Sequence, residues 1–374
     1  MNEDLRSLFP AANFYTYLNS AAVAPMPLTA IDAVTHQLND VAAHGSSHYT
    51  DWIATKNRAR ELIAEMLGVR ADQVAFMRNT SDGFSTIANG LNWEADDNIV
   101  SFEQEFPANF YPWRQIRDRF GVQLRLAPET DGRIDLAELT GMIDRKTKVV
   151  AISAVQYGSG FSADLERIGR AARGVDALFC VDIIQGLGAQ PFDLPAQYVD
   201  AASGASHKWL CGPEGCGILF LSDRARERVE PTLVGWISVD TPWDFVDREQ
   251  PFRPTALAWE SGTGCSSLFY GLERSLTLLN STGIDKIAGH LAELTDQLCL
   301  GIEEKGYELV SSRRPGESSA IVCIKHRGDL TSNEVASRLE AEKIIVSPRG
   351  DRLRIAPHFF SNAADIETLI SALP

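Results

Sequence analysis

Residues 177–182 read Ala177-Leu178-Phe179-Cys180-Val181-Asp182, five apolar residues followed by a carboxylate. A short continuous apolar run of this length is typical of a strand that is buried on both faces. Comparable runs lie at 74–77, 98–102, 122–126, 148–153 and 217–221, and helical patterns separate them at about 82–91, 107–119, 135–143 and 163–173. This alternation predicts an α/β fold with a mostly parallel sheet that helices cover on both faces. We expect ligand-binding residues at the carboxyl ends of its strands.

The pattern changes after about residue 262. Two long helical stripes follow, at 268–279 and 287–302, and then a strand, a helix, a strand and a helix at about 320–325, 332–341, 352–356 and 363–372. This order is typical of a smaller α+β domain. We therefore predict a large domain over 20–262 and a small domain made of 1–19 and 263–374, with a long helix connecting the two.

The composition of the 374 residues is that of a globular protein, with 44% hydrophobic and 23% charged residues. That excludes general disorder and small disulfide-stabilised classes. The 35 basic and 50 acidic residues give a net charge of −15. A surface this acidic repels phosphate backbones and anionic lipids, so we expect neither a nucleic-acid nor a membrane partner.

The cysteines and the amino terminus indicate the compartment. The six cysteines contain no CxxC pair and are too scattered for a disulfide framework; they are at positions 180, 211, 216, 265, 299 and 323. The start Met-Asn-Glu-Asp-Leu-Arg lacks the basic and apolar segments of a signal peptide. No apolar run approaches the 18 residues that a bilayer span requires. These features predict a cytoplasmic protein.

The stretch Ser203-Gly204-Ala205-Ser206-His207-Lys208-Trp209-Leu210 carries the first candidate catalytic group. Lys208 has small neighbours and follows a turn-rich stretch at 200–204. A lysine desolvated in a pocket has a lowered pKa and can form a Schiff base. The alternative interpretation is an ordinary lysine on a surface loop.

Asp182 favours the catalytic interpretation. A carboxylate at the end of a buried strand is costly unless it meets a cation or a donor. A protonated pyridine nitrogen is such a partner, and this pairing keeps pyridoxal phosphate an electron sink. Lys208 follows 26 residues later, enough for one crossover to a neighbouring strand, and Gln185 could donate to the ring hydroxylate. The alternative for Asp182 is a helix N-cap.

A phosphate site is predicted at Met77-Arg78-Asn79-Thr80-Ser81-Asp82-Gly83, which follows a strand and opens a helix. Free backbone N–H groups and the helix dipole attract a phosphate there, and Thr80 and Ser81 add hydroxyl donors. The same residues also suit an ordinary helix cap.

Taken together, these motifs resemble the class V aminotransferase family of fold-type-I pyridoxal-phosphate enzymes, which includes cysteine desulfurases, selenocysteine lyases, isopenicillin N epimerase-like enzymes and kynureninases. The resemblance runs nearly end to end. It is carried by Tyr17-Leu18-Asn19-Ser20-Ala21-Ala22, Arg78-Asn79-Thr80-Ser81-Asp82-Gly83, Glu105-Phe106-Pro107-Ala108-Asn109, Val181-Asp182, Ser206-His207-Lys208, Glu260-Ser261-Gly262-Thr263 and Leu353-Arg354-Ile355-Ala356-Pro357-His358.

The resemblance implies a three-layer α/β/α large domain with a mostly parallel seven-stranded sheet, a smaller α+β domain and pyridoxal 5'-phosphate as cofactor. It also implies a homodimer that acts on a small amino acid. The implied roles are Lys208 as the Schiff-base lysine, Asp182 at the pyridine nitrogen, Gln185 at the ring oxygen, Phe106 on the ring face, Thr80, Ser81 and His207 at the phosphate, Thr263 at the partner subunit's phosphate, and Arg354 at the substrate α-carboxylate. A guanidinium fork suits this last task, whereas the alternative for Arg354 is a charge at the surface edge of a strand.

Three departures limit the reaction that can be inferred. Many desulfurases of the family have a histidine at the place of Phe106, and Ala154 occupies the place of an asparagine near the ring oxygen, where Gln156 or Tyr157 could substitute. The stretch 346–351 lacks the cysteine that carries persulfide in desulfurases. We therefore rank transamination first. The alternatives are a Cβ-lyase of the selenocysteine-lyase, C–S-lyase or desulfurase type and an amino-acid epimerase.

Parts of the sequence also suit proteins of other classes. Gly158-Ser159-Gly160-Phe161-Ser162-Ala163 fits G-x-G-x-x-A and would suit an NAD-dependent oxidoreductase, but it leaves Lys208 unused. A non-catalytic binding module would not need both Lys208 and Asp182. His44 and His48 have the spacing of a helical metal pair, but we expect no metal because a third ligand is not apparent.

Overall fold

The computed structural model describes residues 3–374. Its strands, in chain order, are β1 (Thr16–Tyr17), β2 (Val74–Met77), β3 (Asn98–Phe102), β4 (Gln123–Ala127), β5 (Glu129–Thr130), β6 (Arg133–Ile134), β7 (Thr147–Ser153), β8 (Leu178–Asp182), β9 (Ala201–Ala205), β10 (Gly217–Leu221), β11 (Glu308–Leu309), β12 (Val322–Lys325), β13 (Ile344–Ile345), β14 (Ser347–Arg349) and β15 (Arg352–Ile355).

The α-helices are α1 (Glu3–Arg6), α2 (Ala11–Phe14), α3 (Leu28–His44), α4 (Tyr49–Leu67), α5 (Thr80–Gly90), α6 (Tyr111–Phe120), α7 (Leu136–Gly141), α8 (Leu165–Gly174), α9 (Asp223–Arg226), α10 (Ser266–Thr282), α11 (Ile284–Glu304), α12 (Ser332–Ala341) and α13 (Ala363–Ala372). Short 3₁₀ turns lie at Ala71–Gln73, Pro107–Asn109 and Ala256–Trp259. Among the described helices, none is long and apolar enough to cross a membrane.

The large sheet has seven strands in the order β2-β10-β9-β8-β7-β3-β4. The neighbours from β9 to β4 are all parallel, and β10 is antiparallel to both β2 and β9. It follows that β2 also runs in the direction of the parallel strands. All strands of the sheet except β10 therefore end at the same edge, which confirms the predicted mixed, mostly parallel α/β architecture.

Alternating residues of each strand face two separate cores, as the period of a β-strand requires. Val100 and Phe102 of β3 pack with Ile63 of α4 in one apolar cluster. Ile99 of the same strand packs with Trp113 of α6 in the other cluster. Helices thus cover both faces of the sheet, and the strands are buried on both sides as their apolar runs predict.

The strand β9 is absent from the sequence prediction, which treated 200–204 as turn-rich. That interpretation is wrong, because Ala201–Ala205 pairs with β8 on one side and β10 on the other. Its sequence Ala-Ala-Ser-Gly-Ala has none of the β-branched or aromatic residues that favour strands. The small residues have a packing reason, since a Cβ added to Gly83 of α5 would lie 2.2 Å from Ser203 Oγ.

A second, antiparallel sheet lies in the carboxyl-terminal part, with the order β11-β12-β15-β14. Its apolar face packs with Leu298 of α11 and Leu369 of α13. Near the amino terminus β1 pairs in parallel with β13. Because this pairing joins the two ends of the chain, we propose the domain division 20–262 and 1–19 with 263–374 as predicted. The long helix α10 packs against α3 and α4.

Candidate active site

Polar side chains collect where the parallel strands end. Ser153 is the last residue of β7 and lies opposite Asp182, the last residue of β8. Asp182 in turn lies opposite Ser203 of β9. Lys208 follows β9 by three residues, so the fold brings the two candidate groups to one edge of the sheet, as is usual for ligand sites in open α/β folds.

Lys208 is buried, with 7% of its surface exposed. Its Nζ lies 5.2 Å from the centroid of the Phe106 ring. Burial lowers the pKa of Lys208; the negative charge of Asp182 opposes this effect, and the positive charges of Arg354 and Arg349 add to it. The alternative of a solvated surface lysine is therefore wrong.

Asp182 is 1% exposed. Its Oδ1 accepts a hydrogen bond from the backbone N–H of Ile184 at 2.9 Å, whereas its buried Oδ2 has no partner among residues 3–374. Burial raises the pKa of this carboxyl, and the nearby charge of Glu105 raises it further. The helix N-cap alternative is wrong, because Asp182 ends β8 and the next helix described is α9, which begins at Asp223. The Oδ2 atom can therefore accept a hydrogen bond from a ligand.

Glu105 is a functional candidate that the sequence analysis quoted but assigned no role. This fully buried carboxylate accepts hydrogen bonds from Ser153 N (2.7 Å), Ser153 Oγ (2.5 Å), Gln156 Nε2 (2.8 Å) and Asn109 Nδ2 (3.1 Å). Burial raises its pKa despite these donors. Glu105 follows the carboxyl end of strand β3, as Asp182 lies at the carboxyl end of strand β8. This position in the sequence is a signal by which Glu105 could have been identified.

Gln185, which is expected near the ring oxygen, forms hydrogen bonds within the protein. Gln185 donates from Nε2 to the carbonyl of Ala21 at 3.0 Å and accepts from Trp209 Nε1 at 2.9 Å. Since an amide nitrogen has two N–H groups, Gln185 keeps one donor. Gln156 presents a buried Oε1 that has no partner within the described chain, and Ala154 is fully buried.

The predicted phosphate site lies at the start of α5. Asn79 caps this helix by accepting from Asp82 N at 2.9 Å. The Oγ1 of Thr80 is buried without a partner in the part of the chain that the structure describes, whereas Ser81 is exposed. His207 is half-buried, and burial followed by the charge of Lys208 lowers its pKa. The capping interpretation is therefore confirmed, and phosphate binding at the same turn stays a prediction.

Arg354 lies on β15, between β12 and β14, and is 1% exposed. Its Nη1 donates to the carbonyl of Tyr157 at 3.1 Å, but its buried Nε and Nη2 find no acceptor in residues 3–374. Burial, followed by the charge of Arg349, lowers the pKa of Arg354 to about 10. The alternative of a surface-edge charge is wrong, and the two free donors suit a bidentate carboxylate.

Thr263 lies outside this cluster. It is an exposed residue just before α10, and it lines a cavity together with Lys56, Glu260, Arg78 and Asp82. Arg78 and Asp82 flank Thr80 and Ser81 in sequence, so this cavity is lined by residues on both sides of the predicted phosphate turn.

His44 and His48 meet a third group that the sequence analysis missed. Asp40 Oδ1 accepts hydrogen bonds from Nδ1 of His44 at 3.0 Å and Nδ1 of His48 at 2.7 Å. The expectation that no third ligand-type residue lies beside the two histidines is therefore wrong. The contacts form a carboxylate–imidazole trio near the exposed end of α3.

The G-x-G-x-x-A stretch at 158–163 has a packing explanation. Gly160 has a φ of +72°, and a Cβ there would lie 2.3 Å from the carbonyl oxygen of Ile321. The turn closes through Gln156 N to the carbonyl of Phe161 at 2.9 Å, so its backbone binds its own chain. The dinucleotide interpretation is not supported by this geometry.

The polar groups that have no partner among the described residues match the functional groups of pyridoxal phosphate. Asp182 Oδ2 matches a protonated ring nitrogen, Thr80 Oγ1 and the free N–H groups at the start of α5 match a phosphate, and Lys208 supplies a desolvated amine. A buried polar atom without a partner costs free energy, and Asp182 Oδ2 and Thr80 Oγ1 are two such atoms near the same edge of the sheet, which indicates a ligand.

Comparisons with known proteins agree with this geometry. The sequence profile of the family "Aminotransferase class-V" matches residues 16–358. A protein named "Probable cysteine desulfurase" from Methanothermobacter thermautotrophicus is 30% identical over 303 residues, 79% of this chain and 74% of that protein. One of the same name from Streptomyces coelicolor is 30% identical over 345 residues, 88% of this chain and 81% of that protein. The solved complex of the cystine C–S lyase C-DES with cysteine persulfide has the same fold, with a TM-score of 0.90 and 22% identity over 97% of this chain and 98% of that chain.

Proposed function

The chain belongs to the class V aminotransferase family, and from this premise we propose that it cleaves the Cβ–sulfur bond of a small sulfur-containing α-amino acid. The net reaction converts R–S–CH2–CH(NH3+)–COO− and one water into the thiol RSH, pyruvate and ammonium. The observation that carries the lyase assignment is the pair of 30% identical relatives named as cysteine desulfurases. It favours the lyase alternative over transamination, which the sequence analysis ranked first.

The cofactor of the family is pyridoxal 5'-phosphate, and the chain is a pyridoxal-phosphate-dependent enzyme. When bound, this group supplies an electron sink that stabilises negative charge at the substrate Cα. We propose that Asp182 Oδ2 holds the proton of the pyridine nitrogen, because it is a buried acceptor without a partner among the described residues. Thr80 and Ser81 at the start of α5, together with His207, would hold the phosphate, and the second N–H of Gln185 would be a donor for the ring oxygen.

Lys208 Nζ is the group that moves the proton at Cα. Its lowered pKa leaves a fraction of the amine unprotonated near neutral pH, which is the form that accepts a proton. Phe106, 39% exposed, covers the amine and excludes water from one side. A phenyl ring can neither give nor take a proton, so acid–base work at Cα rests on Lys208.

Arg354 holds the substrate α-carboxylate through its free Nε and Nη2 donors. A guanidinium with two N–H groups side by side binds a carboxylate in a fixed orientation. That orientation presents the Cα–H bond to Lys208 and keeps the Cβ substituent free to leave. Removal of the Cα proton and departure of the thiolate then give the elimination products.

Elimination is favoured over persulfide transfer by the sequence of the loop before Arg354. That loop, 346–351, reads Val-Ser-Pro-Arg-Gly-Asp and has no thiol to accept sulfur. The buried Cys323 lies opposite Arg354 in the sheet, and burial raises its pKa to about 11, which makes it a poor nucleophile.

The test is product analysis with purified enzyme loaded with pyridoxal phosphate. With L-cysteine and no keto-acid acceptor, we expect pyruvate, ammonium and sulfide in equal amounts. Formation of alanine from added pyruvate, with the donor amino acid becoming its keto acid, would instead establish transamination. Loss of optical activity without either product would establish epimerisation and contradict the proposal.

We also propose a homodimer in which Thr263 reaches the phosphate of the partner subunit. The segment that precedes Thr263 exposes several large apolar side chains: Leu233, Val234, Trp236, Trp243, Phe245 and Phe252. A concentration of exposed apolar residues is typical of a protein interface. Light scattering should give twice the 41.1 kDa chain mass, and Trp243→Glu should shift the protein towards monomer. A monomeric wild-type enzyme with full activity would contradict this proposal.

A further inference from the structure

Three arginines share one face of the β14–β15 pair. Arg349 lies directly opposite Arg352, and Ser347 lies opposite Arg354. Because side chains alternate along a strand, Arg352 and Arg354 point to the same face, and Arg349 is the diagonal neighbour of Arg354. Diagonal neighbours have Cα atoms roughly 7–8 Å apart, within reach of long side chains. Like charges placed in this way destabilise a sheet unless anions compensate them.

Arg352 is compensated by this chain. It forms a two-point ion pair with Glu129, with Nη1 to Oε2 at 3.1 Å and Nη2 to Oε1, and its Nη1 also donates to the carbonyl of Gly158. Asp351 lies 3.8 Å from its Nε. Arg352 therefore has its charge balanced within the protein.

Arg349 is not compensated. Its one hydrogen bond to the described residues runs from Nη1 to the carbonyl of Pro348, the residue before it, at 2.9 Å. Within residues 3–374 no carboxylate lies in ion-pair contact with it or with Arg354, although the chain carries a net charge of −15. The nearest acid along the strand pair, Asp351, pairs with Lys325 at 2.7 Å.

The charge of Arg349 also affects groups of the candidate active site. Arg349 is the diagonal neighbour of Arg354 in the sheet, and its positive charge lowers the pKa of both Arg354 and Lys208. It is half-buried, which weakens screening by solvent. Arg349 and Arg354 are thus two neighbouring guanidinium groups without an acidic partner in the described chain, whereas the single charge of an α-carboxylate neutralises only one of them.

From these contacts we infer that the preferred substrate carries a second acid group, on the substituent attached to its sulfur, and that Arg349 binds this group while Arg354 binds the α-carboxylate. The inference rests on the proposed lyase function and specifies its substrate class as dianionic sulfur amino acids. Arg349 would increase the affinity for such a substrate, because a charge-assisted hydrogen bond to a carboxylate is stronger than a hydrogen bond to a neutral amide.

A matched pair of substrates isolates the second charge. S-carboxymethyl-L-cysteine and S-carbamoylmethyl-L-cysteine have the same length and the same leaving sulfur, and differ in a carboxylate against a carboxamide. We expect wild-type kcat/KM to favour the carboxymethyl compound by about tenfold or more. Arg349→Gln should bring the ratio close to one, and Arg349→Lys should keep an intermediate ratio, because it retains the charge but loses the fork.

A binding measurement separates this inference from the function on which it rests. Calorimetric titration of Lys208→Ala holoenzyme gives dissociation constants without turnover, and the carboxymethyl compound should bind about tenfold more tightly than the carbamoylmethyl compound. Arg327→Gln, an exposed arginine outside the β14–β15 pair, is the matched control and should leave both ratios unchanged. Equal binding of the two compounds, or a preference that persists in Arg349→Gln, overturns the inference. If neither compound yields pyruvate while the binding preference holds, the lyase function fails and the role of Arg349 stands.

Discussion

The Nζ of Lys208 and the ring of Phe106 face each other, with 5.2 Å between the nitrogen and the ring centroid. The two groups come from different parts of the sheet edge, Phe106 after β3 and Lys208 after β9. Phe106 in turn contacts Tyr157 edge to face, at 5.1 Å between centroids, which holds its ring in place. A planar cofactor attached to Lys208 would therefore lie against an aromatic surface.

Replacement of Phe106 tests this aromatic contact. Phe106→Leu removes ring stacking but keeps an apolar side chain, and we expect the dissociation constant of pyridoxal phosphate to rise about twofold to twelvefold, since a stacked aromatic pair contributes about 0.5–1.5 kcal/mol. The measurement is an absorbance titration of the cofactor-free enzyme. Phe106→Tyr retains the ring and serves as the control, with affinity near that of the wild type. Unchanged affinity in Phe106→Leu would remove Phe106 from the site.

Asp182→Asn tests the charge at the end of β8. The amide keeps the shape and can still accept from Ile184 N, but it cannot hold a proton on a ring nitrogen as an ion pair. We expect kcat to fall about 10²- to 10⁴-fold, the usual range for loss of a group that controls a proton. Asp182→Glu restores the charge and should recover part of the rate in the same steady-state assay. An Asp182→Asn enzyme with wild-type kcat would contradict the pairing.

Arg354→Gln tests the carboxylate site. The substitution removes a charge whose free Nε and Nη2 face no acceptor in the described chain. We expect KM for amino acids to rise at least tenfold, with a smaller effect on the corresponding amines that lack an α-carboxylate. Arg145→Gln, at an exposed position, provides the control in the same kinetic series. Equal losses for amino acids and amines would argue that Arg354 acts only in packing.

Glu260 carries a pH-dependent part of the stability. Its side chain is buried and bonded to Arg60 Nη1 at 2.6 Å, Lys56 Nζ at 2.5 Å and Phe76 N at 2.9 Å. Burial opposes its ionisation, but the charges of Arg60 and Lys56 outweigh burial and lower the pKa of Glu260 to about 2. The usual value is 4.5, so this stabilisation is complete above about pH 4.5 and is lost as the pH falls towards 2.

We expect this group to make the free energy of unfolding fall by about 2 kcal/mol between pH 4.5 and pH 3. Glu260→Gln should have a shallower slope over that interval, by about one proton, in denaturant unfolding at a series of pH values. Parallel slopes for the wild type and the variant would show that Glu260 does not titrate in this range.

The core of the site was predictable where local sequence carries the signal. Asp182 ends a continuous apolar run and Lys208 has small neighbours, and both patterns are visible without knowledge of the fold. The location of Arg354 in the candidate site could be predicted only from the family resemblance. Its two free donors became visible in the sheet, where β15 lies between two strands.

Other features depend on contacts between segments that are distant in the sequence, and such contacts cannot be predicted from a local sequence pattern. The strand β9 lacks strand-forming residues, and it pairs with β8 and β10 while Gly83 of α5 packs closely against its Ser203. Glu105 accepts hydrogen bonds from Ser153 and Gln156, which lie 48 and 51 residues later in the chain. Arg352 is paired with Glu129 and Arg349 is not, and position along the chain does not reveal which of the two finds a partner.

The most direct test of the central claim is to locate the lysine that carries the cofactor. The loaded enzyme is treated with borohydride, which fixes the cofactor to its lysine, and is then digested and analysed by peptide mass spectrometry. We predict that the added mass lies on Lys208, and that Lys208→Ala loses both this adduct and turnover. An adduct on another lysine, or a Lys208→Ala enzyme that retains turnover, would contradict the account.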